Sequence, residues 1–189
     1  MPKGDASVIS PRKPTNEHER LNALRGYELL DTESEAAFDA MTRLAATICR
    51  VPIALVSLVD ENRQWFKSQC GLDGVTSTGR DISFCGHAIL QNGLFEVPDA
   101  REDPRFADNP LVTGEPHIRF YAGMPLIETG GLALGTLCVI DRTPRKLKKT
   151  QRLQLEDLAQ SVVWLILTRI RRSEMDEYRL ALAETSKTS

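Results

Sequence analysis

The chain has no paired cysteine motif: Cys49, Cys70, Cys85 and Cys138 stand apart, without a CxxC among them. That spacing argues against a disulfide frame or a zinc site and for buried thiols in a reducing compartment. A long apolar run is also missing. The most hydrophobic patch, Val162 to Leu167, is far too short to span a bilayer, and no apolar leader follows Met1. Neither sign of charge dominates: 24 basic residues face 26 acidic ones, a net of −2, so no basic field invites nucleic acid. No internal repeat is visible. These absences leave a soluble, cytoplasmic chain with no nucleic acid and no membrane as partner. Its 189 residues allow one domain with extensions.

What is present is organised around Phe120 to Asp141, FYAGMPLIETGGLALGTLCVID. Phe120 to Ile127 and Leu132 to Ile140 read as two strands apolar on both faces, which suits the centre of a doubly covered sheet. Gly130-Gly131 supplies positive φ angles for a tight hairpin. Gly123 and Gly135 leave room for something to approach the backbone closely.

Before this hairpin, residues 1–14 hold three prolines and read as a disordered lead-in. A helix is expected from Asn16, with Glu19 as capping-box partner, Leu21 and Leu24 on its apolar edge and Gly26 as its stop. A longer one, capped by Asp31 or Ser34, runs to Arg50 with Phe38, Met41, Leu44, Ala45 and Ile48 on one stripe. Ile53 to Val59 and Gln64 to Cys70 follow as strands. Strict alternation there places Trp65, Lys67 and Gln69 on one face and Phe66, Ser68 and Cys70 on the other. Gly71 to Arg80 reads as a loop, Ser83 as the N-cap of a short helix to about Gln91, and Leu94 to Val97 as a brief strand. Asp99 to Ile118 is charged and proline-broken, with one short turn near Phe106. A stretch of this kind inside a compact domain reads as a functional lid. Thr150 caps a last helix whose apolar face, including Leu153, Leu155, Leu158, Val162, Leu165 and Ile166, is wide enough for core and partner. The order of elements predicts an α+β fold, an antiparallel sheet with helices on one face.

Four segments in order, Pro52 to Leu72, Asp81 to Leu90, Arg119 to Leu126 and Leu134 to Leu147, make the chain resemble a GAF domain of bacterial signalling proteins. The resemblance covers 15–170 and leaves 171–189 as a charged helical extension. It implies a GAF-like sheet of about six strands, terminal helices on one face and a lidded pocket on the other. It also implies a sensory module that binds a small molecule, forms a homodimer through its terminal helices, and acts on a downstream output domain or protein. The alternatives are a thiol redox sensor or an enzyme like the free-methionine-sulfoxide reductases using Cys85 with Cys70, and a purely structural dimerisation module. The Cys85-Gly86-His87 order departs from the adjacent Cys-His of bilin-binding members. The cyclic-nucleotide pattern and the clustered lid cysteines of the reductases are absent.

The candidate ligand-binding set is Phe66, Ser83, Cys85, His87, Asp99, Phe106, Arg119 and Tyr121. No catalytic residue, metal ligand or cofactor is assigned. Cys85, near a helix start, is either a reactive thiolate and chromophore anchor or a buried apolar thiol. His87 bonds either a ligand or a lid carbonyl; on a helix it points about 200° from Cys85. Arg119 suits an anionic or heteroaromatic ligand, or pairs with Asp99 or Asp103. Phe106 is a plug or a stacking surface. Of Phe120 and Tyr121, one faces the pocket and the other the helices.

Overall fold

A computed structural model describes residues 8–185, with side chains as far as Arg169. Its centre is β1 (Ile53–Val59), buried along its whole length. It pairs antiparallel with β2 (Arg63–Cys70) on one side and β6 (Ala133–Asp141) on the other. β5 (Phe120–Ile127) forms the expected hairpin with β6, and β4 (Phe95–Val97) pairs with β5. With β3 (Ser77–Gly79) beside β2, the sheet has six strands in the order β3-β2-β1-β6-β5-β4. The edge strand β3 lies within Gly71 to Arg80, which the sequence suggested was only loop.

Alternation along β1 and β6 sends side chains into two cores. Ala54, Val56, Leu137 and Val139 meet α1 (Glu17–Gly26), α2 (Ala36–Cys49) and α5 (Lys149–Thr185). Ile53, Leu55, Cys138 and Ile140 meet α3 (Phe84–Ala88), α4 (Pro110–Thr113) and the loop between them. Each large apolar side chain so buried contributes roughly 1.5–3 kcal/mol. Both layers are therefore integral to the fold.

The alternation predicted for β2 fails at one point. Val56 pairs with Ser68 and Ser57 with Phe66, so Lys67 is the extra residue of a β-bulge. Lys67 and Ser68 both turn to the helices. Ser68 Oγ donates to Asp39 Oδ1 at 2.6 Å and sits 2.9 Å from Thr42 Oγ1. Cys70, opposite Ala54, shares the helix-side face of the sheet. Lys67 Nζ, fully buried, donates to Thr32 Oγ1 (2.8 Å) and Glu33 O (2.6 Å) and pairs with Glu35 at 2.7 Å. Those bonds fix the entry to α2, so its N-cap is Glu35, while Asp31 instead pairs with Arg63.

Other local expectations change for similar reasons. Neither Asn16 nor Glu19 caps α1 through a side chain. Glu17 instead lies between the buried guanidiniums of Arg20 (2.8 Å) and Arg80. Leu44 and Leu153, placed on apolar stripes, are exposed. α5 begins at Lys149 rather than from a Thr150 cap, with the Lys148 amide bonded to Gln151 Oε1. In the β5–β6 turn only Gly131 has positive φ; the Glu128 carboxylate accepts the Gly130 and Leu132 amides. Protein itself fills the space at the two strand glycines. A Cβ on Gly123 would meet the Tyr121 ring, and one on Gly135 would clash with the Ser57 carbonyl oxygen. From residue 8 onward the lead-in is laid over α3, with Pro11 against Gly86. Residues 1–7 lie outside the described residues.

Gly135→Ala lowers stability by about 1–3 kcal/mol, the usual cost of overpacking, whereas Gly26→Ala, with open space around it, leaves the urea midpoint within error or raises it. Glu17 ionises at about 2 instead of 4.5; burial opposes the charge, and the bonds to Arg20 and Arg80 outweigh it. Its contribution is thus complete above about 4.5 and is lost as pH falls toward 2. Urea midpoints across that window should fall less steeply for Glu17→Gln than for the parent chain.

Candidate functional site

The lid is built as a second core layer. Ser83 caps α3 by accepting the Gly86 amide at 2.9 Å, as its sequence position suggests, but the helix is only five residues long. That turn presents Phe84 inward, where Phe106 stacks on it with centroids 3.9 Å apart and planes 8° from parallel. Asn109 ties the loop to the α3 approach: its Nδ2 donates to Ile82 O and its Oδ1 accepts the Leu111 amide, both at 2.9 Å. Two of the lid acids are satisfied locally. Asp99 pairs with Arg101, and Asp103 with Arg105, whose guanidinium lies 4.8 Å from the Phe95 ring centre. Both carboxyls are held below the usual range, chiefly by those arginine hydrogen bonds.

Beside this stack the layer is incomplete. A cavity of about 420 Å³ lies between α4, the β2 side of the sheet and the segment around Leu72. Leu55, Phe66, Leu72, Val75, Leu111 and Tyr121 give it largely apolar walls, and Asp73, Glu115 and Arg142 stand among its lining residues. Gln64 also lines it, but both ends of its amide are engaged: Nε2 donates to Thr78 Oγ1, and Oε1 accepts from Ser83 Oγ. The volume falls within the range of small-molecule sites, about 300–1,000 Å³.

Of the eight candidate residues, Phe66, Cys85 and Tyr121 line this cavity. Phe120 faces the helices and Tyr121 the lid, as alternation requires. The others lie elsewhere. Ser83 is consumed as cap and as donor to Gln64, and Phe106 is buried in the ring stack. Asp99 is engaged by Arg101. Arg119 Nη1 donates to the carbonyls of Val112 and Ile118, so it braces the lid backbone and makes no ion pair with Asp99 or Asp103. His87 sits 3.0 Å from Ile9 O, a carbonyl of the lead-in and not of the lid, with its ring edge-on to Phe106. Burial pulls its pKa below the ordinary histidine value.

Beneath the cavity lies a polar cluster that the sequence reading missed. Cys85 Sγ is 3.9 Å from Cys138 Sγ and accepts from the Tyr121 hydroxyl at 3.4 Å. Ser57 and Thr136, paired across β1 and β6, are fully buried on the same face, and their hydroxyls have no hydrogen-bond partner among the described residues. Burial opposes a thiolate on either sulfur. The surrounding donors, Cys138 first, draw Cys85 below the ordinary thiol value, while burial and the adjacent sulfur push Cys138 well above it. Cys70, on the helix face, is not the partner of Cys85. The signal that could have found Cys138 is strand register: opposite Gly123, it shares a face with Tyr121. Among the described residues no cluster of histidine, cysteine or acid side chains is suited to a metal ion.

The family model described as GAF domain matches residues 33–166. The chain is similar to a cyclic di-GMP phosphodiesterase of Pseudomonas aeruginosa, with 45% identity over 171 residues, 90% of this chain and 29% of that protein. It thus spans less than a third of that relative's length. Among solved structures, it resembles the GAF domain of an Acinetobacter phosphoenolpyruvate-protein phosphotransferase (TM-score 0.61, 19% identity, 82% of this chain and 95% of that one). It also resembles the PixJ GAF domain of Thermosynechococcus elongatus in its blue-light absorbing form (TM-score 0.58, 15% identity, 87% and 96% covered). At such identities the structural likeness is one of fold.

The ring stack gives the lid its own test. Phe106→Ala removes one of two stacked rings and should cost about 3–5 kcal/mol. Amide exchange over Asp99 to Ile118 should accelerate more than exchange in β1 and β6, as read by deuterium uptake.

Proposed function

The chain belongs to the GAF domain family, and from that premise we propose a sensory and regulatory module of signal transduction. It holds a small, largely apolar molecule between the lid and the β2 side of the sheet and acts as a binding module, not as an enzyme. The cavity of about 420 Å³ carries this reading: it is bounded on one side by α4 of the lid, so an occupant contacts the lid as well as the sheet. A ligand moves such an equilibrium only as far as it binds the two arrangements differently. The family and the cyclic di-GMP phosphodiesterase relative support a regulatory role. In a protein built like that relative, the module would govern turnover of cyclic di-GMP by another part of the chain, in the cytoplasm.

The second element of the proposal is a homodimer joined through terminal helices. Leu153 and Trp164 are 52% and 58% exposed on α5. Eleven residues apart, at about 100° per residue, they lie within about 20° of each other around the helix axis. That places two large apolar side chains on one outward stripe. Loss of the dimer in Trp164→Glu, measured by sedimentation at constant fold, is the expected outcome.

Occupancy is read by native mass spectrometry of the freshly purified chain. A small mass that denaturation releases should accompany the parent chain and be missing from Leu111→Trp, which fills the cavity from the lid side. Added back, the released compound should slow exchange over Asp99 to Ile118. A bare dimer with unchanged lid exchange would leave only a structural dimerisation module.

A further inference from the structure

We propose that Cys85 and Cys138 form a dithiol site oxidised by an organic hydroperoxide that enters the apolar cavity, giving an internal disulfide between α3 and β6. Three observations carry it. The two sulfurs are already 3.9 Å apart, so a modest rotation of either side chain brings them to bonding distance. Access is unequal: Cys85 lines the cavity and Cys138 does not, so an oxidant within it meets Cys85 first. The surroundings are polar where a core would normally be apolar. Tyr121 donates to Cys85, and the buried Ser57 and Thr136 hydroxyls have no hydrogen-bond partner among the described residues. Unpartnered buried hydroxyls cost free energy in a packed core, and a thiolate next to them would repay part of that cost. The lowered pKa of Cys85 agrees with this arrangement.

The chemistry balances without a metal. The Cys85 thiolate attacks the distal oxygen of the hydroperoxide; the O–O bond breaks, the alcohol leaves with a proton, and Cys85 becomes a sulfenic acid. The Cys138 sulfur then attacks that sulfur as its proton is lost; the S–S bond forms, the S–O bond breaks and water departs. Two thiols and one hydroperoxide thus give one disulfide, one alcohol and one water. The apolar walls favour an alkyl or aryl hydroperoxide over hydrogen peroxide. Cys49 is the buried last residue of α2 in the helix-side core, and Cys70, though more exposed, also lies on that opposite face of the sheet. Neither belongs to the pair.

The site shares its cavity with the sensory reading, but its readout is covalent. Thiol mapping and reversible ligand release can therefore fail independently. The intact chain is treated with cumene hydroperoxide or hydrogen peroxide at equal concentration, unfolded in an alkylating reagent, and mapped by mass spectrometry. Expected is loss of two of the four alkylatable thiols, recovery of a Cys85–Cys138 linked peptide, and faster loss with cumene hydroperoxide. Cys138→Ser should stop at a Cys85 sulfenic acid that dimedone traps, and Leu111→Trp should slow the cumene reaction more than the hydrogen peroxide one. Four thiols surviving, Cys70 or Cys49 reacting first, or Cys138→Ser giving no dimedone adduct at Cys85 would overturn the proposal. Equal or faster reaction with hydrogen peroxide would overturn the part played by the cavity.

Discussion

Two strands in the middle of this sheet, β1 and β6, are apolar on both faces, and that constraint dictates the rest. A strand such as Ile53–Val59 cannot leave either row of side chains in water, so the chain must supply a layer on each side. α1, α2 and α5 supply one. The other is assembled from short pieces: a five-residue helix, a four-residue helix and a loop pinned by the Phe84–Phe106 stack. Short pieces cover a surface less completely than long helices do. The cavity lies where that covering thins, toward β2 and β3.

The electrostatics of the lid follow the same logic. Its acids could have projected into the cavity; each of Asp99 and Asp103 folds back onto an arginine two residues away. Arg119 is occupied by backbone carbonyls. Much of the lid's charge is thus used in shaping the loop, and the space beneath it is largely apolar, with Asp73, Glu115 and Arg142 among its lining residues. The carboxylate of Glu128 is used similarly, holding the amides of the β5–β6 turn. The polar groups that such a pocket offers are a few hydroxyl and thiol groups at its base and the charged side chains of Asp73, Glu115 and Arg142 in its lining.

Much of the fold was legible because it rests on local pattern. Apolar runs marked β1, β5 and β6, Ser83 marked the start of α3, and the ordered family segments gave the architecture. The cavity and the cluster beneath it were less legible, since their geometry depends on register. The bulge at Lys67 shifts every later residue of β2 to the opposite face, and no propensity at Lys67 or Ser68 announces it. The same shift separates Cys70 from Cys85, whereas Cys138 reaches Cys85 only through the pairing of β6 with β5. Arg119 and His87 looked like ligand contacts because their types suit that role. Their partners are carbonyls, and carbonyls occur at every residue. The N-cap of α2 was misplaced because Lys67, distant in sequence, claims Thr32, Glu33 and Glu35.

α5 runs without interruption from Lys149 to Thr185, 37 residues, or about 56 Å at 1.5 Å each. Its last contact described with the domain is Arg169, bonded to Glu35 and to the carbonyls of Tyr27 and Glu28. An unbroken helix preserves angular phase as well as distance. Whatever is fused rigidly to its far end has its azimuth set by the number of intervening residues, about 100° for each. A tilt at the Arg169 anchor would be delivered, some 24 Å further along, as a lateral swing in the plane of the tilt, its size set by that length of helix.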